Sequence, residues 1–367
     1  MFPFTRYILV SLLALFVAFS LAVSADTSVR AHYLADELTH PWSMDWLSDD
    51  ELLITERDGN LIKLNQRTGE RMTISGLPPI AVNGQGGLFD VRLLRDDQGH
   101  WVYLSLAGPH PAGGMGTELW RGRLVGDRID AINNLFRMRH GGTSGRHFGG
   151  RLALDASYVY LTIGDRGEPE RAQDLMDHAG SIIRLNHDGS VPTDNPFIGR
   201  QALPELYSIG HRNPQGAAFH PETGELWTHE HGPQGGDEIN RISAGLNYGW
   251  PTITYGRNYG LGTPIGEGTE KEGLEQPLLY WDPSIAPSGM AFYRGNALPQ
   301  WRNHWFVGAL KAQTLVKLSQ TSNGIRQNER LFRGEFGRIR DVREGPDGAL
   351  YLLTDSARGQ LIRLSAD

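Results

Sequence analysis

Short apolar runs closed by polar turns recur along the whole chain, and long amphipathic helices are hard to find in it. Each run is rich in Leu, Ile, Val and aromatics and stops at Gly, Asp or Asn, the pattern of strands joined by turns. The runs come in pairs: Glu51 to Thr55 with Leu61 to Leu64, and Val102 to Ser105 with Leu119 to Leu124. Val159 to Thr162 pairs with Ile182 to Leu185, and Glu225 to Thr228 with Glu238 to Ile242. His304 to Val307 pairs with Leu315 to Leu318, and Leu350 to Leu353 with Gln360 to Leu364. Six hairpins at spacings of roughly 45 to 80 residues predict an all-β fold, a six-bladed β-propeller with four-stranded antiparallel blades. Two β-sandwiches would give no reason for six matching hairpins. Gly/Pro-rich insertions, from Pro192 to Pro204 and from Tyr255 to Gln276, are expected to cover one face.

The first 25 residues break this pattern. Arg6 precedes an almost uninterrupted apolar run from Tyr7 to Val23, and Val23-Ser24-Ala25 offers small residues before Asp26. Residues 1–25 are therefore expected to be a signal peptide, with an uncleaved anchor as the alternative. The propeller is expected over residues 26–367, periplasmic or secreted, with no stable membrane insertion after cleavage. The chain has no cysteine, which excludes disulfides, thiolate metal sites and a cysteine nucleophile. A net charge of -7 without a long basic run argues against nucleic acid. The 46 glycines and 20 prolines supply turns.

Candidate chemistry lies at the ends of the hairpins. His147-Phe148-Gly149-Gly150-Arg151 puts a histidine in a loop with two glycines after it, and Asp165 follows the next strand-like run. That is a base and a carboxylate to orient it, or a satisfied histidine in a tight turn. In Asn83-Gly84-Gln85-Gly86-Gly87-Leu88-Phe89-Asp90, Gln85 can both donate and accept, unless the segment is a simple turn. Arg212 and Asn213, ahead of Pro214, suit an anion or carbonyl contact, or a solvated turn. Carbonyls exposed by Gly232-Pro233, with Asp237 and Glu238 nearby, are hard oxygen ligands of the kind Ca²⁺ prefers, although an acidic turn capping Ile239 explains them too. Arg338 and Arg340 fall on one face of a strand. With Lys311 they form an anion site, or else a surface stripe paired to acids such as Asp341.

Five of these motifs, in order from His40-Pro41-Trp42 to Gly345-Pro346-Asp347-Gly348, resemble those of the soluble sugar dehydrogenases that depend on pyrroloquinoline quinone (PQQ), and most closely the aldose sugar dehydrogenase branch. The resemblance implies PQQ on the propeller axis with Ca²⁺ beside it, and oxidation of an aldose at C1 to a lactone with hydride transfer to PQQ. It implies His147 as general base, oriented by Asp165, with Arg212 also catalytic. PQQ would be held by Gln85, Arg212, Asn213, Lys311, Arg338 and Arg340, and the catalytic Ca²⁺ by the carbonyls of Gly232 and Pro233. Glu238 and Tyr248 match positions used for a second, structural Ca²⁺. His231 stands where the glucose-oxidising branch tends to have glutamine, which favours the aldose branch. The expected partners are an aldose and an unidentified electron acceptor, and a monomer is expected. Two other propeller classes compete: a Ca²⁺ lactonase or other hydrolase, which needs several side-chain ligands on its metal, and a non-catalytic binding module.

Overall fold

All six hairpins form, and each is the middle pair of a four-stranded antiparallel sheet. The computed structural model describes residues 28–322 and 324–366, so the expected signal peptide over 1–25 lies outside the described residues. Blade 1 runs outward through Pro41–Trp46, Glu51–Glu56, Leu61–Asn65 and Arg71–Ile74. The innermost strands of blades 2 to 6 are Leu88–Asp96, Leu152–Leu154, Pro214–Phe219, Pro287–Phe292 and Ile339–Glu344. Val29–Leu38 pairs with Gly359–Ala366, so the N-terminal strand supplies the outer strand of blade 6 and closes the ring.

The core lies between blades rather than within them. In blade 1, Leu52 and Ile54 pack towards blade 6 and Leu53 towards blade 2, all fully buried, because successive residues of a strand face opposite ways. Each of the six blade junctions carries a cluster of this kind. That is why the middle strands read as near-continuous apolar runs rather than alternating ones. Each buried Leu contributes about 1.5–3 kcal/mol.

The inner strands expose unpaired backbone N–H groups to the axis, and buried carboxylates accept from them. Asp90 Oδ2 accepts from Leu152 N (2.8 Å), and Asp341 Oδ2 from Met44 N (3.2 Å). Two guanidiniums offset these charges. Arg151 reaches Asp341 (3.1 Å) and Asp90 (3.5 Å), while Arg343 reaches both at 3.0 Å. Burial alone would raise the Asp90 carboxyl, but Arg151 and Arg343 hold it below its ordinary range. Arg338 and Arg340 do not pair with Asp341, which is spent on this axial network; they pair with Asp355.

The two insertions part company. The segment before Leu206–Ile209 packs Phe197 and Leu203 into the junction of blades 2 and 3, at the end of the blade remote from His147. The segment after Asp237–Ile242 climbs back to the His147 end, where the Trp250 amide bonds the Gly210 carbonyl at 2.9 Å. Only the second reaches the face that carries the candidate chemistry.

Candidate active site

In every blade the first strand begins, and the second ends, at one end of the ring. The loops there bring the candidate residues together. His147 lies in the loop entering blade 3 with φ of 54°, and Gly149 and Gly150 follow at 66° and 97°. A Cβ on Gly149 would lie 2.5 Å from the Thr162 carbonyl, and one on Gly150 2.6 Å from the Phe89 ring. Only glycine passes through that slot, so the loop that carries His147 is pinned.

His147 Nδ1 lies 2.6 Å from Asp165 Oδ1, and its amide donates to Gln85 Oε1 at 2.8 Å. A carboxylate at Nδ1 places the ring proton there and leaves Nε2 with a free lone pair. Asp165 is held in turn by the amide of Gly167 (2.7 Å) and the indole N–H of Trp250 (2.9 Å). Burial and the nearby Arg212 hold the imidazole below its ordinary 6.5, against the pull of Asp165. Burial alone would raise Asp165, but its hydrogen bond and charge contact with His147 bring it below the usual carboxylate range.

The residues just after His147, Phe148 and Gly149, line a cavity of about 180 Å³; His147, Asp165 and Arg212 are not themselves part of its lining. Trp42, Phe89 and Phe148 form part of its wall, with successive ring centroids 5.6 and 5.5 Å apart. Arg57, Gln85, Asn213, Gln215, His231, Arg338, Arg340 and Asp355 supply its polar groups. Both arginines bond the same oxygen, Asp355 Oδ2, Arg338 at 2.9 Å and Arg340 at 3.2 Å. Two guanidiniums on one carboxylate leave a net positive charge facing the cavity. Burial and Arg338 push the Arg340 guanidinium below its ordinary value. Lys311 follows Leu310, which lines the cavity, but its own side chain is exposed.

Arg212 and Asn213 are buried, so the solvated turn does not occur. Asn213 Oδ1 accepts from the Gly149 amide and from Gln215 Nε2, both at 3.2 Å. Arg212 NH1 donates to the carbonyls of His231 (3.0 Å) and Gly232 (2.8 Å). The Pro233 carbonyl lies instead 3.4 Å from Ser284 Oγ. Asp237 is committed to main-chain amides, those of Gly232 (2.9 Å), Ile285 (2.7 Å) and Ala286 (2.8 Å), and shapes the loop.

Glu238 and Tyr248 line a second void of about 10 Å³, together with Glu230 and Trp250. It has room for one atom-sized guest. Burial and the neighbouring Glu230 push the Glu238 carboxyl up to about 8. The Tyr248 hydroxyl is turned away, between the Arg241 carbonyl (2.6 Å) and the Ser243 amide (2.9 Å), so Tyr248 offers this void only its main chain or ring. Among the described residues no group of three or more His, Asp or Glu side chains is placed to hold a metal ion.

The arrangement matches a known family over almost all of its length: the model for the glucose/sorbosone dehydrogenases covers residues 38–363. The chain belongs to that family. It is 41% identical over 349 residues to the aldose sugar dehydrogenase YliI of Escherichia coli (strain K12), covering 93% of this chain and 94% of that one. The crystal structure of the soluble aldose sugar dehydrogenase from Escherichia coli, in its apo form, matches with a TM-score of 0.89 at 40% identity, over 93% of this chain and all 100% of the other. The PQQ-bound aldose sugar dehydrogenase from Streptomyces coelicolor matches with a TM-score of 0.74 at 25% identity, over 93% of this chain and 99% of the other.

Residues of the site without an assignment from the sequence include Arg57, Gln215, Asp355 and Trp250. A positional signal for Asp355 was present in the repeat. Second strands, or the residues just after them, deliver Glu56, Asp165, Glu230, Lys311 and Asp355 to the same end of the ring.

Proposed function

We propose that this protein is a PQQ- and calcium-dependent dehydrogenase that oxidises aldose sugars at C1 to lactones, with His147 as general base. The observation that carries this reading is the 2.6 Å contact of His147 Nδ1 with Asp165, on a loop whose next residues, Phe148 and Gly149, line the cavity walled by Arg338 and Arg340. An ordered base next to a positively charged, partly aromatic cavity fits a flat tricarboxylate cofactor, and family membership supports the same class.

The residues that would hold PQQ are Gln85, Arg212, Asn213, Arg338 and Arg340, with Lys311 at the edge. Carbonyls suited to a hard cation are at hand, since those of His231 and Gly232 already converge on the positive guanidinium of Arg212. Gly232 and Pro233 would hold the catalytic Ca²⁺, and Glu238 with the Tyr248 main chain a structural one. When bound, PQQ supplies the two-electron acceptor and Ca²⁺ polarises it.

The remaining steps belong to the chain. His147 Nε2 takes the proton of the anomeric hydroxyl, and Asp165 holds the ring in position and stabilises the imidazolium that forms. Arg212 places positive charge beside the reacting groups. Residues 1–25 would direct the enzyme to the periplasm or the medium, where it would work as a monomer and pass electrons to an acceptor still to be identified.

The test is reconstitution of the purified protein with PQQ and Ca²⁺, followed by dye reduction on a panel of aldoses. Sugar-dependent reduction that vanishes without PQQ is expected. Absence of both activity and a PQQ-induced spectral change would overturn the proposal.

A further inference from the structure

We propose that Trp250 is a positioning residue that holds Asp165, and through it His147, in register with Arg212; this rests on His147 being the base. The indole N–H donates to Asp165 Oδ2 at 2.9 Å, on the oxygen that His147 does not use. The Arg212 guanidinium stands 5.3 Å from the centroid of the Trp250 ring, within cation–π range. One buried side chain therefore touches both the carboxylate behind the base and a cation of the proposed cofactor site.

The ring is clamped by its own backbone. The Trp250 amide donates to the Gly210 carbonyl at 2.9 Å, and its carbonyl accepts from Gln173 Nε2 at 2.6 Å. Just before it, the Tyr248 ring stacks on His211 at 4.8 Å. The strap over 247–250 is thus fastened to the loop that carries Arg212, and it presents a donor whose position varies little.

The charged groups facing His147 are Asp165, Arg212 and Arg146, and Trp250→Phe alters none of them. It removes one donor from Asp165 and keeps an aromatic face for Arg212. With that donor gone, the Asp165 charge is more available to the imidazolium, so His147 should become more basic. The experiment is NMR titration of the full chain with labelled histidines, without sugar or cofactor, assigning His147 by its loss in His147→Gln.

Trp250→Phe should raise the His147 midpoint by about half a unit to one unit. In the reconstituted enzyme it should lower kcat about tenfold while the sugar KM stays within about twofold. Gln173→Ala, which loosens the strap without changing the ring, should move the midpoint the same way by less, and serves if Trp250→Phe does not fold. A lower melting temperature with an unmoved His147 midpoint would reduce Trp250 to a packing residue and overturn the proposal. A moved midpoint in a protein that oxidises no aldose would instead remove the proposed reaction and keep the coupling.

Discussion

The surroundings of His147 suit the base proposed for it. The Asp165 carboxylate fixes the tautomer at 2.6 Å, while burial and Arg212 keep the ring neutral below its ordinary 6.5. The acid limb of kcat/KM against pH should therefore have its midpoint below 6.5, and a midpoint at or above that value would contradict the assignment. His147→Ala should bind PQQ as the wild type does and lose about 10²–10⁴-fold in turnover. Glu238 shifts the other way. Folded, it keeps its proton up to about pH 8, whereas the unfolded group releases it near 4.5. Between those values the folded chain binds more protons than the unfolded one, so stability falls as pH rises through the window. In chelator, melting temperatures should drop from pH 5 to pH 8 by more in the wild type than in Glu238→Gln. Added Ca²⁺ should recover more of the loss in the wild type than in Glu238→Gln.

At the scale of the strand, the sequence is legible where one local rule suffices. Every hairpin proposed from apolar runs is present, because both faces of a middle strand meet a neighbouring blade. The insertions are less legible, since the Gly and Pro content of 192–204 and 255–276 says nothing about which end of a blade a loop returns to. The strand that was not read from the sequence at all is Val29–Leu38, whose partner lies at the far end of the chain. Deleting residues 26–38 should expose the edge of Gly359–Ala366 and remove Ala35 and Leu38 from the junction of blades 6 and 1. Such a protein should be recovered mostly as aggregate, and a soluble monomer with an unchanged melting temperature would show that this closure is dispensable.

Across the whole molecule, the axis is where a ring of six sheets meets its main difficulty. Inner-strand amides have no neighbouring strand, and Asp90 and Asp341 answer some of them while Arg151 and Arg343 balance the charge. Arg151 also donates to the Gln215 carbonyl (2.9 Å), and Gln215 in turn receives Arg340 (3.2 Å), so the network supports the cavity above it. Removing one partner of a buried pair leaves an uncompensated charge. Asp341→Ala should accordingly cost about 3–5 kcal/mol, read as a shift in denaturant midpoint. A change within about 0.5 kcal/mol would mean that solvent replaces the carboxylate at the axis.

The sequence alone determined the strands, the number of blades and the residue types available at their ends, because period-two burial and turn chemistry act over a few neighbouring residues. The glycines after His147 were legible for the same reason, whereas Arg338 precedes the strand Ile339–Glu344 and a register shift falls between Ile339 and Asp341, so period two does not set the shared side of Arg338 and Arg340. Tertiary structure decided the partners. Arg151 meets Asp341 across 190 residues of chain, Arg338 and Arg340 share Asp355 rather than Asp341, and Trp250 arrives behind Asp165 from a different blade. Charge pairing depends on distance in space, and only closure of the ring sets those distances.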